Sequence, residues 1–88
     1  MRIKEGYVLY ESSGNNIVFL KHKGGTHARG VLRLNSTGTM LWRMLEEGTT
    51  AVALAERLRD EFDLAPERAT SDVKSFLSSL ISAGAVEA

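Results

Sequence analysis

His22 and His27 are the only imidazoles in the chain, and they stand five positions apart in Lys21-His22-Lys23-Gly24-Gly25-Thr26-His27. A zinc site would need a third ligand and a rigid frame, and the intervening lysines, glycines and threonine supply neither. The spacing therefore reads as a solvated loop. Glu46 and Glu47 form a carboxylate pair, but acid–base work needs surroundings that separate the two pKa values, and these side chains close a helical run just before Gly48. Serine is plentiful, yet no G-x-S-x-G elbow occurs and no serine has a histidine and a carboxylate in a recognisable order. Gly24-Gly25 lacks the spaced glycines and the GK[ST] ending of a phosphate loop, and reads as a turn. With no cysteine there is no thiolate nucleophile, disulfide or iron–sulfur ligand. These residues predict a protein that is not an enzyme, with no catalytic set, no metal and no cofactor of its own.

A binding role must then be carried by the elements themselves. Eighty-eight residues suit one domain spanning 1–88, since a chain of this size buries only about 60 to 65 per cent of its unfolded surface. Hydrophobic residues make up 43% and charged residues 25%, the ordinary globular range. Eleven basic and eleven acidic residues cancel, so the whole-chain field offers no general attraction for nucleic acid or anionic lipid. No run of about 18 apolar residues could span a bilayer. The start, Met1-Arg2-Ile3-Lys4-Glu5-Gly6, lacks the apolar stretch of a signal peptide. The expectation is a cytoplasmic chain with no membrane contact.

The first third alternates short apolar runs with turn residues: Tyr7 to Tyr10, Ser12-Ser13-Gly14-Asn15, Ile17 to Leu20, Gly24-Gly25, then Val31 to Leu34. This punctuation predicts three strands joined by hairpin-type connections, the second connection long and polar. A period of two points Leu32 and Leu34 one way and Val31 and Arg33 the other.

From Asn35 the period becomes helical. Met40, Leu41, Met44 and Leu45 share a stripe, Asn35 or Ser36 can cap the first turn, and Gly48 can end it in a left-handed conformation. Trp42 lies off that stripe, with burial against the sheet as the expected role. Thr49 or Thr50 can cap a second helix carrying Ala51, Leu54, Ala55, Leu58 and Phe62 at three- and four-residue steps. Pro66 suits the first position of a third helix, with Ala69, Val73, Phe76, Leu77, Leu80 and Ile81 on one face and Gly84 as its stop. Ala85 and Val86 either form a short closing strand or simply pack. The order predicts an α+β, winged-helix-like fold in which a three-stranded antiparallel sheet is followed by three helices.

The stretch "VLRLNSTGTMLWRMLEEGTT", followed by "LAERLRDEFDLAPERATSDVKSFLSSLISAGAV", resembles the PqqD-like family, the precursor-peptide recognition elements of ribosomal peptide modification pathways. The resemblance rests on Leu32, Leu34, Asn35, Thr37 and Gly38, the Leu41-Trp42 pair and the turn from Glu47 to Thr50. It also rests on Asp72-Val73, Phe76-Leu77 and the Ala83-Gly84 ending, with a weaker match at "IKEGYVLYE". Ala65, where a stronger helix cap is usual, and the longer basic loop Lys21 to Arg29 depart from the pattern.

The resemblance implies a peptide chaperone without catalysis of its own. Its partners would be the leader of a precursor peptide and a modifying enzyme, often a radical S-adenosylmethionine enzyme, in pyrroloquinoline quinone or another peptide pathway. It also implies that the leader adds as a strand beside the third strand, in a groove against the third helix. In this chain Val31, Leu32, Arg33 and Leu34 would supply the edge. Val73, Phe76, Leu77 and Leu80 would line the groove, although the same helix face must also serve the core. Arg33, Arg68 and Lys74 could meet acidic leader residues. A bare edge can equally pair with a second copy. The rival reading is a DNA-binding winged helix, which charge disfavours: Arg57 and Arg59 stand among Glu56, Asp60 and Glu61, and Arg68 and Lys74 beside Glu67 and Asp72.

Overall fold

The structure, a computed structural model, describes residues 1–21 and 28–87. The elements in chain order are β1 (Arg2–Ile3), β2 (Tyr7–Ser12), β3 (Asn15–Lys21), β4 (Ala28–Leu34), α1 (Ser36–Glu47), α2 (Ala51–Phe62), α3 (Pro66–Ser82) and β5 (Val86–Glu87). The three expected strands are β2, β3 and β4, antiparallel in the order β2-β3-β4, so that β4 forms one border of the sheet. His22, His27 and Gly24-Gly25 lie outside the described residues. No described helix is long and apolar enough to cross a membrane.

Ser12 pairs with Asn15, leaving Ser13 and Gly14 as a two-residue turn. Their φ angles, 46° and 83°, are both positive, as the tightest hairpin connection requires to match the twist of its strands. Across the sheet, Leu9, Val18 and Leu32 form one row facing the helices, and Tyr10, Ile17 and Arg33 form a row on the opposite side.

The period of two breaks at one residue. Val18 opposes Leu32 and Phe19 opposes Gly30, so Val31 is the extra residue of a β-bulge. It packs against the core together with Leu32, which corrects the expectation that Val31 shares a side with Arg33. A bulge places two successive residues opposite one, so strict alternation cannot continue through it.

The core lies between the sheet and the helices. Leu9, Val18 and Leu34 meet Leu41, Trp42, Leu45, Leu54, Leu58, Ala69, Val73, Leu77 and Leu80. Trp42 is fully buried, and its indole N–H donates to Glu46 Oε2 at 3.2 Å. The buried face of α1 is broad, running through Gly38, Thr39, Leu41, Trp42 and Leu45.

Two residues expected on inward stripes face outward: Phe62 is 48% exposed and Ile81 63%. Phe62 is the last residue of α2, before Asp63 turns the chain with a φ of 51°, and it is not among the residues packed against the core. Ile81 sits beside the narrow buried stripe of α3, formed by Ala69, Val73, Leu77 and Leu80.

The closing strand is Val86–Glu87, paired antiparallel with Arg2–Ile3. The Met1 carbonyl accepts from the Thr49 N–H at 2.9 Å and the Ala85 carbonyl from the Lys4 N–H at 2.8 Å. Together these bonds tie both ends of the described chain to the helical layer. Arg43 on α1 reaches Glu11 on β2 at 2.8 Å and its own-helix Glu46 at 2.9 Å. The hydrogen bonds to Glu11 and then Glu46 raise the guanidinium pKa above its ordinary value.

Trp42→Ala should cost about 3–5 kcal/mol of unfolding free energy, the range for emptying an aromatic site in a core. Phe62→Ala should stay within about 0.5 kcal/mol, as at other exposed positions. Urea denaturation of both variants checks the assignment of inward and outward helix faces.

Candidate functional site

β4 ends at Leu34 and α1 begins at Ser36, so one residue makes the junction. Asn35 remains extended and its side chain caps the helix: the Gly38 N–H donates to Asn35 Oδ1 at 2.7 Å. Such a cap supplies an acceptor for one of the N–H groups that the first helical turn leaves without a partner. The Thr39 hydroxyl donates to the Asn35 carbonyl at 2.9 Å. The same hydroxyl accepts from the Asn16 side-chain amide on β3 at 3.0 Å. The junction is thereby bonded to the central strand as well as to its own helix.

Gly38 has a separate reason to lack a side chain. A Cβ there would stand 3.2 Å from Asn35 Oδ1 and 3.4 Å from the ring of Phe76 on α3. The small residue lets α3 approach the start of α1, and that approach sets how close Phe76 comes to β4.

A groove follows between β4 and α3. Its middle is lined by Leu32, Arg33, Leu34, Asn35, Gly38, Phe76 and Ser79. One end opens between Arg29, Gly30 and Val31 on the strand and Ser82, the last residue of α3, with Ala83 just beyond it. The other end widens beyond Asn35 into a hollow bounded by Thr37, Leu41, Leu58, Arg68, Asp72 and Ser75. Asn35, Gly38 and Phe76 belong to both the middle and the wide end. A further hollow at Glu56, Arg59, Asp60, Asp63 and Leu64 is mostly charged, and none of its residues belongs to β4.

The structure divides the sequence candidates into four groups. Val31, Leu32, Arg33, Leu34 and Phe76 line the groove: Leu34 is buried, Val31, Leu32 and Phe76 half-buried, and Arg33 exposed. Arg68 reaches the wide end, where its Nε donates to both carboxylate oxygens of Asp72 at 3.1 Å. Val73, Leu77 and Leu80 turn inward and back the groove from within the core. Lys74 lies elsewhere, in a shallow hollow with Pro66, Glu67, Thr70 and Ser71.

Sequence reasoning missed Asn35, Gly38, Ser75, Ser79, Ser82 and Ala83 as groove residues. A signal was available in the helical period. Asp72, Ser75, Phe76, Ser79, Ser82 and Ala83 recur at short helical steps along the flank of the buried stripe, and all but Phe76 and Asp72 are small. A helix flank of small side chains admits another chain close to its backbone.

The end at Ser82 and Ala83 is held from β2, at the opposite border of the sheet. The Tyr7 hydroxyl on β2 donates to the Ala83 carbonyl at 3.0 Å, and Gly84 turns beside it with a φ of 74°. A Cβ on Gly84 would come within 3.3 Å of that hydroxyl.

Residues 6–86 match the profile of the family described as coenzyme PQQ synthesis protein D, or PqqD. No curated protein matches the chain. Among solved structures, TbiB1 in complex with the TbiA(beta) leader peptide has a TM-score of 0.72 at 21% identity, covering 93% of this chain and 90% of that one. Lasso peptide synthetase B1 complexed with the leader peptide has a TM-score of 0.77 at 17% identity, covering 99% of this chain and 96% of that one. At these identities the likeness shows a shared fold.

Tyr7→Phe should lower unfolding free energy by about 0.5–1.5 kcal/mol, the usual net contribution of one hydrogen bond. Chemical denaturation reads the loss. Amide shifts of the variant should move at residues 82–84, at the Ser82–Ala83 end of the groove.

Proposed function

Since this chain belongs to the PqqD family, we propose that it holds the leader segment of a ribosomally made precursor peptide and presents it to a modifying enzyme. The observation that carries this reading is the border position of β4, which opens onto a groove against α3. A border strand offers unpaired N–H and C=O groups to an extended peptide, the strand-addition mode of recognition. The protein acts by binding and positioning and leaves the chemistry to its partner, for which a radical S-adenosylmethionine enzyme is our proposal. The encounter takes place in the cytoplasm, where the precursor is made.

Magnitudes determine what else the leader must contribute. About four backbone hydrogen bonds at about 0.5–1.5 kcal/mol each fall short of the about 8 kcal/mol of a micromolar complex. One or two large apolar leader side chains, at about 1.5–3 kcal/mol each, make up most of the difference. They would settle against Leu32, Leu34 and Phe76. Arg33, exposed at the rim, would attract an acidic leader residue and speed association more than it adds affinity.

A DNA-reading helix fits the surface less well. Arg57 is paired with Glu61 and Arg68 with Asp72, each within its own helix, so neither is an unopposed cation for phosphate.

Titration of the isotope-labelled protein with its leader peptide should move amide resonances at residues 29–35 and 75–83 and leave Lys74 and its neighbours in place. Changes confined to α2 would sink the geometry. Phe76→Ala should weaken the leader complex by about tenfold, the effect of losing one well-seated aromatic contact. Calorimetric titration measures it. Leu32→Pro removes a backbone N–H from the strand and should abolish binding or folding, which circular dichroism separates.

A further inference from the structure

The sheet has a second face that the groove leaves unused. Val8, Phe19 and Gly30 form one row across it, and Tyr10, Ile17 and Arg33 another. None of Val8, Tyr10, Ile17 and Phe19 packs against the core. Tyr10 is 49% exposed and meets Phe19 edge to face, with ring centres 5.5 Å apart. Gly30 carries no side chain where a Cβ would touch Ile17 and Phe19 at 3.6 Å, so that part of the aromatic ring stays uncovered. Val8, Ile17 and Phe19 beside Tyr10 are half-buried, and apolar side chains left accessible in one contiguous patch mark an interaction surface more often than scattered ones do.

The charge on this face is of one sign. Its ionic strand positions are Lys21, whose Nζ sits 5.7 Å from the centre of the Tyr10 ring, and Arg33. Neither forms an ion pair among the described residues, where the four bridges all involve Arg43, Arg57 or Arg68. Glu11 points to the other face and binds Arg43. In a chain of zero formal charge, this leaves an apolar centre with cations at its margin and no carboxylate at any described strand position of this face.

That pattern selects the occupant. A second copy docked face to face would set Lys21 and Arg33 against like charges, which disfavours self-association. Single-stranded nucleic acid stacks on open ring faces, whereas Tyr10 and Phe19 stand at 81° and each directs an edge or a face at the other. An apolar protein patch carrying Asp or Glu satisfies both the centre and the margin. We propose that the outer sheet face docks such a patch on the modifying enzyme, an assignment that rests on the leader-holding reading above. With the groove filled by the leader, this face is the apolar surface of the sheet still accessible. It adjoins the added strand through Arg33, so an enzyme seated here stands beside its substrate without competing for the groove.

The test uses the full chain, a fluorescein-labelled synthetic leader and the purified modifying enzyme encoded with that precursor. Tyr10→Ser combined with Lys21→Glu alters the outer face and leaves every groove residue in place. The variant should bind leader within about twofold of the parent and bind enzyme at least about tenfold more weakly, as expected for losing an aromatic contact and reversing a rim charge. Added salt should weaken the parent's enzyme complex more than the variant's. Lys21→Glu alone, a change at an exposed position, should weaken enzyme binding in the same direction should the double variant fail to fold. Equal enzyme affinity for parent and variant, with leader binding intact, overturns the docking face alone. Loss of enzyme binding in the parent does the same, as does saturable capture of a uridine oligonucleotide that the variant lacks. A parent that binds no leader overturns the groove reading and this assignment with it.

Discussion

The amide oxygen of Asn35, 2.7 Å from the Gly38 nitrogen, is the contact on which the rest of the architecture depends. It lets a strand become a helix across one residue, where a flexible loop would let the two elements move independently. Since Thr39 bonds both Asn35 and Asn16, the helix start is also fastened to β3. Groove geometry is therefore inherited from the core and would not have to be assembled on binding. Such preorganisation reduces the ordering cost of association.

An open border is a hazard as well as a binding device, because it can template aggregation. The bulge at Val31 divides β4 into two short paired stretches and turns an apolar side chain inward. Arg33 adds an exposed charge to the same border. Interrupted pairing and surface charge are both means by which sheets discourage adventitious strands. On the proposed reading, a cognate peptide would overcome them with side chains that fit the groove, so affinity and discrimination would arise from the same contacts.

The third helix serves two layers at once. Its narrow stripe of Ala69, Val73, Leu77 and Leu80 is buried, while the flank carrying Ser75, Phe76, Ser79 and Ser82 faces β4. The serines keep that wall low and Phe76 gives it one large apolar contact. At the two ends, the close approach at Gly38 and the Tyr7 bond to Ala83 fix the helix against the sheet. The wall that a ligand would press against is consequently held by groups outside the groove.

Local chemistry made much of this legible in advance. The Asn35 cap, the Gly48 stop, the Thr50 cap and Pro66 at the third helix start follow from backbone preferences that act over a few residues. The strand order and the free border follow from hairpin punctuation for the same reason. Four features were decided only by folding: the bulge at Val31, the outward turn of Phe62 and Ile81, the pairing of Arg2–Ile3 with Val86–Glu87, and the division of α3 between core and groove. Each depends on which distant segment lies opposite, and a periodic pattern describes a residue's own element without naming its neighbour. Periodicity could place Val73, Phe76 and Leu77 on one helix face, but only the position of β4 relative to α3 separates the residue that meets the groove from those that close the core.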